Sequence, residues 1–285
     1  MRVFLAGATG AIGRLLLPLL LTAGHQVVAG SRSEEGARAL RAQGAEALRL
    51  DVFDRAVVER AVAAAAPDAV VHQLTALSGL DLTENARIRR EGTRNLVDAA
   101  HRAGVRRIVA QSISWAYQGG DTPATEATPL DPTTEQPRAA TVGGVRALEE
   151  AVAELPEHVV LRYGTLYGPG TWYAEDGLMA ERLHRGELAA SEAVNSFLHV
   201  EDAARAALAA LEWPSGTVNV VDDDPAPARL WVPVLAAAVG APTPPAAAGR
   251  AAWERGADGT LARTARGWRP TRASWRQGFT ELGRG

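Results

Sequence analysis

The sequence predicts an α/β protein built on a doubly wound parallel sheet, with a smaller C-terminal lobe. Three observations predict it. Short apolar runs alternate with helix-like segments over the first two-thirds of the chain. Most of those runs are continuously apolar rather than alternating, as expected of strands covered on both faces. A glycine cluster follows the first run directly and opens the first helix. Strands that alternate with helices in this way imply right-handed crossovers and a doubly wound sheet.

In chain order, the strand-like runs are Arg2–Ala6, Gln26–Ala29, Ala47–Leu50, Ala69–His72, Arg107–Ala110 and Val159–Arg162. The helical candidates between them are Ala11–Ala23, Glu34–Gln43, Arg55–Ala65, Asn85–Ala103 and Val142–Glu154. Gly24, Gly44 and Gly104 stand just past three of these helices, where a terminating glycine belongs. The stretch Gln118–Arg138 is rich in Thr, Pro, Asp and Glu without a clear period and reads as a long loop, a feature more often functional than idle. Beyond Arg162 the pattern loosens. A turn is expected at Gly168–Gly170, helices near Asp176–Gly186 and Val200–Leu211, and a strand near Val218–Val221. The Ala/Pro-rich segment Ala241–Ala252 reads as a surface linker.

With 285 residues, 47% of them hydrophobic, the chain can bury a sizeable core as one large domain or two smaller ones. The net charge is -3 and no block of like charges stands out, so neither nucleic acid nor an anionic membrane is expected as a partner. The lack of cysteine excludes disulfides, a thiolate metal site and a catalytic thiol. The opening MRVFLAGATGAIG breaks its apolar run at Gly7 and Gly10, unlike a signal peptide. The run Leu15 to Leu21 contains Pro18 and is too short to span a bilayer. A soluble, cytoplasmic protein is expected.

Gly7, Gly10 and Gly13 form G-x-x-G-x-x-G. At this glycine content roughly 0.3 such matches arise by chance over the chain, so the spacing needs its context. Here the triplet joins an apolar strand to an apolar helix. At such a point a backbone turns tightly, approaches a pyrophosphate and offers it helix N-terminal N–H groups. With Thr9, Ala11 and Ile12 the turn reads as a Rossmann dinucleotide site; a glycine-rich turn without a ligand is the alternative. NAD sites usually end the second strand with an acid for the ribose 2′-hydroxyl. Here that end reads Ala29-Gly30-Ser31-Arg32, with no acid before Glu34. Ser31 and Arg32 suit a 2′-phosphate, so the expected cofactor is NADP(H). The alternative makes Arg32 a solvated helix-start residue. Asp51 and Val52 end the third strand and are placed to meet the adenine ring; Asp51 reads equally well as a helix N-cap.

Taken together, the chain resembles the extended short-chain dehydrogenase/reductases, the NAD-dependent epimerase/dehydratase group. The matching pieces run in order along almost the whole length: GATGAIG at 7–13, DV at 51–52, VVHQLTA at 70–76, Asn85 with GTRNLVDAAHRAGVRRIV, LRYGTLYGPG at 161–170, FLHVEDAARAALAALE at 197–212, TVNV at 217–220 and GWRP…WRQGF at 267–279. The resemblance implies an NADP-binding Rossmann domain over residues 1–165. It also implies a substrate-binding lobe over 166–285, with elements near 196–221 returning to the Rossmann core. It places Leu74, Thr75 and Ala76 along the cofactor and the backbone from Tyr163 to Leu166 against its carboxamide; the alternative for LRYGTLYGPG is a buried strand and a tight turn.

Members of the family normally work with Tyr-x-x-x-Lys plus a Ser or Thr. A free Tyr has a pKa near 10, which the adjacent Lys and the charged nicotinamide lower. Counting back from Glu149, the Tyr position falls on Thr141 and the Lys position on Val145. A shift by one residue brings Arg146 into the Lys position but supplies no Tyr. Substitute candidates are Ser112 and Ser114, which lie where the family's Ser/Thr lies, Thr141 itself, and Tyr117, whose alternative is packing under the following loop. Tyr163, Tyr167, Trp172 and Tyr173 flank the expected mouth of the site. They read as a relocated acid, as a wall for a flat apolar substrate, or as ordinary packing. His184 and His199 are either bases or structural residues. No metal-ligand spacing, G-x-S-x-G turn or ATP-type P-loop is present.

The leading expectation is an NADP(H)-dependent oxidoreductase acting on a small carbonyl or hydroxyl compound, a sugar or a secondary metabolite. Two others stand beside it: a non-redox isomerase, dehydratase or cyclase on the same fold, and a catalytically silent NADP(H)-sensing protein. The family often dimerises through a four-helix contact, which here falls on Asn85–Ala103 and Val142–Glu154.

Overall fold

The computed structural model describes residues 1–77 and 82–282. The elements follow in order: β1 (Arg2–Ala6), α1 (Ala11–Thr22), β2 (Gln26–Ser31), α2 (Glu34–Ala42), β3 (Glu46–Arg49), α3 (Arg55–Ala65), β4 (Ala69–His72), α4 (Leu82–Arg87), a π-helical turn (Ile88–Gly92), α5 (Thr93–Arg102), β5 (Arg107–Ile113), α6 (Arg138–Val152) and β6 (Glu157–Tyr163). Then come β7 (Thr165–Tyr167), α7 (Leu178–His184), β8 (Val194–Asn195), β9 (Phe197–His199), α8 (Val200–Ala209), β10 (Gly216–Val220), β11 (Ala226–Pro227), α9 (Ala228–Ala238), α10 (Thr260–Ala265) and α11 (Trp275–Leu282).

The central sheet has seven strands in the order β10-β6-β5-β4-β1-β2-β3. The pairs β1–β2, β1–β4, β2–β3 and β4–β5 run parallel. The order reverses between β1 and β4, so the loops after these two strands flank the switch point, where open α/β sheets bind ligands. The doubly wound α/β class is therefore as the sequence predicts, with the segment near Val218–Val221 adding β10 as a seventh strand.

The chain forms two compact units, Met1–Ser112 with Thr133–Leu161 and Ala204–Thr217, and Ile113–Pro132 with Arg162–Ala203 and Val218–Gly285. In the first, Phe4, Val28, Val70, Ile108 and Val160 pack on Val58 and Val62 of α3, Leu96 and Val97 of α5, and Leu148 and Val152 of α6. The helices start and stop where short polar residues and glycines allow. Ser33 caps α2 by accepting from Gly36 N at 3.0 Å, and Asp54 caps α3 by accepting from Val57 N at 3.0 Å. Gly24, Gly44 and Gly104 follow α1, α2 and α5 at φ 81°, 97° and 71°, the left-handed geometry expected of them.

The expected single helix Asn85–Ala103 is instead interrupted by the π-helical turn. The Thr93 hydroxyl donates to Ile88 O at 3.4 Å, and a Cβ at Gly92 would stand 3.0 Å from Val52, so this turn is shaped by what packs against it. The second unit centres on Phe197, Trp231, Trp275 and Phe279, joined by Tyr167 and Leu235. Its helix α9 escapes sequence reading because it carries Pro233 inside, yet Trp231, Val232 and Leu235 are buried along it. The segment Ala241–Ala252, expected as a surface linker, is held by backbone hydrogen bonds at Pro245 and Ala252. Ala190 N donates to Pro245 O at 2.8 Å and Gly120 N to Ala252 O at 3.0 Å.

Gly13 sets the approach of α1 to β1. A Cβ there would fall 2.1 Å from Gly7 O and 2.7 Å from Ala8 Cα, both backbone atoms. Gly13→Ala is expected to lower stability by about 1–3 kcal/mol, read as a lower urea midpoint at unchanged m-value; an unshifted midpoint would show that the turn can widen freely.

Candidate functional site

The glycine turn is built for close approach. Gly7 has φ 95°, and a Cβ there would lie 2.5 Å from Gln73 O, so only glycine brings the end of β1 this near to the end of β4. Gly10 is the N-cap of α1 and no side chain caps the helix. Thr9 and Gly10 are exposed, Ala11 is half-buried, and Ile12 and Gly13 are buried beneath them. The first-turn N–H groups thus face outward at the positive end of the helix dipole, a built-in anion site.

Ser31 is buried at the end of β2, and its Oγ accepts from Ser33 N at 3.3 Å. Arg32 is exposed and makes no hydrogen bond or ion pair with the described residues. The nearest acid, Glu34, is engaged by Arg38 and Arg41 of its own helix. Asp51 is exposed; its Oδ1 accepts from Phe53 N at 3.0 Å, shaping a turn. It is not the N-cap of α3, a place taken by Asp54 three residues later. Val52 is buried, and its carbonyl accepts from Asn95 Nδ2 at 2.8 Å.

The strap Leu74–Ala76 is tied from below. His72 is fully buried, and Leu74 N donates to its Nδ1 at 3.2 Å. Its Nε2 therefore carries the proton and donates to Thr93 Oγ1 at 2.9 Å, and Thr93 donates onward to Ile88 O. Burial, with the Arg89 charge as a smaller cause, pushes the His72 imidazole down to about 4, so it stays neutral. Ala76 N donates to the buried Asn85 Oδ1 at 3.1 Å, which fixes the other end of the strap. Thr75 lies half-buried between them. Gln73 is buried, and both polar atoms of its side chain lack a partner.

The helix α6 carries Thr141, Val145 and Glu149 on one stripe, spaced four residues apart. Thr141 and Val145 are buried, and neither offers a phenol or an ammonium. Arg146, the product of a one-residue shift, is exposed and off this stripe. The Ser112 hydroxyl, fully buried, donates to Glu149 Oε1 at 2.7 Å.

In the second unit every tyrosine is occupied or raised. Tyr117 is buried and donates to Asn219 Oδ1 at 2.5 Å, with the Arg162 guanidinium 4.7 Å above its ring. Tyr163 donates to Ala203 O at 3.1 Å. Tyr167 lies in the aromatic core, its ring centroid 5.3 Å from that of Phe279, and burial pushes its phenol well above the usual range. Tyr173, half-buried, stacks edge-on against Phe197 and Trp231, and burial pushes it up to about 12. Trp172 and Leu166 are half-buried; Ser114 is buried, its N–H donating to Tyr163 O at 2.9 Å. His199 is buried, accepts at Nδ1 from Glu201 N at 3.3 Å, and lies 3.1 Å from Arg272 at the same atom. Burial lowers its basicity. His184 stands exposed on α7.

The roles of His72, Gln73, Arg89 and Glu149 were not expected from the sequence. A His-Gln pair ending an apolar strand was the signal for the first two. Arg89 lies between Asn85 and Thr93 at four-residue spacing, on the buried face of an otherwise amphipathic segment.

A parallel sheet whose switch point carries a glycine-cradled helix N-terminus defines a Rossmann-type nucleotide-binding protein. The chain belongs to the NAD dependent epimerase/dehydratase family, whose model matches residues 3–221. It is 46% identical to a 3-diazoavenalumate denitrifying reductase from a Streptomyces species, over 98% of this chain and 99% of that protein. Among solved structures it is similar to the Thermus thermophilus UDP-glucose 4-epimerase, determined in complex with NAD, at 27% identity and TM-score 0.77, covering 100% of this chain and 99% of that one. The Thermotoga maritima UDP-glucose 4-epimerase shares the fold, with TM-score 0.78 at 22% identity, covering 100% and 99%.

The tie through His72 has a pH consequence. Its folded pKa lies below the unfolded value near 6.5, so the unfolded chain takes up the proton first. The stability it contributes is present above pH 6.5 and is lost as pH falls toward 4. Between pH 7 and pH 5 the loss is expected to be about 2 kcal/mol. His72→Gln should shrink the difference between urea unfolding free energies at these two pH values by about that amount; a variant with the wild-type difference would assign the acid sensitivity elsewhere.

Proposed function

We propose that this protein is an NADP(H)-dependent reductase that delivers hydride to a carbon bearing a diazonium group and releases dinitrogen. The observation that carries the reading is the α6 stripe, where Thr141 and Val145 stand in place of the phenol and ammonium that serve proton transfer in the family. The relative named as a denitrifying reductase, similar over its whole length, supports the substrate class.

The residues of the turn fit the cofactor. Gly7 and Gly13 leave no room for a side chain, while a Cβ at Gly10 would meet only Gly7 O at 3.4 Å, so the open side of the turn admits a pyrophosphate. Ser31 and the exposed Arg32 would hold a 2′-phosphate, Asp51 and Val52 would meet the adenine, and the Leu74–Ala76 strap would take the nicotinamide end. When bound, NADPH supplies the hydride in the net change R–N₂⁺ + NADPH → R–H + N₂ + NADP⁺, in which atoms and charge balance without a proton. A carbonyl substrate would instead leave an alkoxide to be protonated. The Thr141 hydroxyl is far too weak an acid for that at neutral pH. The phenols of Tyr117 and Tyr163 are committed to Asn219 and Ala203, and those of Tyr167 and Tyr173 are pushed up by burial. The chain's task in this reaction reduces to binding, orientation and exclusion of water.

Incubation with an aryl diazonium acid and 4-deuterated NADPH is expected to release one dinitrogen per NADPH oxidised. The product should carry deuterium, in ordinary water, on the carbon that bore nitrogen. Label arriving from solvent D₂O instead, or turnover of ketones and not of diazo compounds, would sink the reading. Quenching of tryptophan fluorescence tests the cofactor separately: Arg32→Ala should weaken NADPH binding about tenfold or more and leave NADH binding unchanged. Equal binding of the two cofactors by the wild type would make Arg32 a surface residue.

A further inference from the structure

Among the described residues, Arg89 is the most heavily buried cation that the reaction leaves unused. It sits on the π-helical turn, only 4% exposed. Its guanidinium makes no hydrogen bond and no ion pair within 4 Å with the described residues. A guanidinium stays protonated at neutral pH even here, where burial lowers it to about 10. Burying such a charge without a partner is strongly unfavourable, and proteins tolerate it where a ligand supplies what is missing.

Its surroundings say where that ligand lies. The Arg89 charge is felt at His72, which holds the N–H of Leu74 and so the strap read as lining the cofactor. The carboxylate of Glu149, which accepts from Ser112 and lies one turn beyond Val145 on α6, acts on the Arg89 guanidinium as a favourable charge. Arg89 thus brings a positive charge to the corner bounded by the ends of β4 and β5 and by the α6 stripe. The family's lysine would stand on that stripe at Val145. Glu149 spends its Oε1 on Ser112 and stays beyond ion-pair distance of Arg89, so the donors of the guanidinium remain available.

We propose that Arg89 is a cofactor-holding residue, donating from the π-helical turn to the ribose hydroxyls at the nicotinamide end of NADP(H), and so takes over from the neighbouring helix the place that Val145 leaves on α6. This rests on the cofactor reading above. It accounts for a reductase that keeps a cation against the cofactor while dispensing with a proton donor. A guanidinium binds as donor only and cannot be deprotonated, so it orients without entering proton transfer.

The test opposes binding to stability. Arg89→Met removes the charge and keeps the length. The apoprotein is expected to melt at the wild-type temperature or above it, because a buried unpaired charge is gone. NADPH affinity, read by tryptophan quenching, is expected to fall about ten- to a hundredfold. Arg89→Lys, which keeps the charge, should bind NADPH more tightly than Arg89→Met. The proposal is overturned if Arg89→Met binds NADPH as wild type does, including the case in which only the KM for the diazonium substrate rises. It is equally overturned if Arg89→Met melts lower or fails to fold, since the charge then serves packing, or if a folded Arg89→Lys binds no better than the Met variant. A wild-type protein that binds neither NADPH nor NADH would instead overturn the cofactor reading on which the proposal stands.

Discussion

The contact between Gly13 and the Gly7 carbonyl is the constraint on which the rest of the first unit depends. A methyl group at Gly13 would collide with backbone on two sides, and one at Gly7 would collide with the Gln73 carbonyl. Neither neighbour is a side chain that can rotate away. The two glycines therefore fix how near the start of α1 lies to β1 and how near β1 ends to β4. The uncapped N–H groups of α1 follow from the first approach and the position of the Leu74–Ala76 strap from the second. His72 and Asn85 then hold the strap, and Thr93 draws the π-helical turn toward His72.

Electrostatics distinguishes this chain from what its fold leads one to expect. The stripe of α6 that faces Ser112 offers a threonine, a valine and a carboxylate. No cation stands on that stripe, and one lies buried on the π-helical turn at Arg89. A phenol could not stand in from elsewhere, since all four tyrosines are spent on carbonyl or amide partners or enclosed in aromatic packing. A reaction whose leaving group departs as neutral dinitrogen suits such a site, because the carbon that accepts hydride then needs no proton.

The second unit shows how aromatic residues near an expected site mouth become core. Tyr167 is packed against Phe197, His199 and Phe279, and a Cβ at Gly278 would touch its ring at 2.1 Å. The loop Gln118–Arg138 is held by its neighbours rather than left free. Asn219 accepts from Tyr117 and donates to Ala124 O and Asp258 O, while Arg250 donates to Gly120 O. Polar side chains here do structural work that a composition count reads as loop.

Local patterns in the chain determined the sheet and the turn. Continuous apolar runs marked β1, β4 and their neighbours because strands covered on both faces need no polar side, and Gly24, Gly44 and Gly104 marked helix ends because only glycine adopts the left-handed backbone cheaply. The glycine triplet and the acid-free end of β2 were legible for the same reason: the chemistry lies in consecutive residues. The tertiary structure alone decided the break in the helix around Arg89, where Gly92 lies against Val52 from the turn after β3 and Thr93 is tied to His72 of β4. It alone revealed Arg89 as a buried cation with no hydrogen-bond or ion-pair partner among the described residues, and it assigned the tyrosines to hydrogen bonds and packing. Burial and pairing depend on residues far apart in sequence, and a residue's type does not disclose them.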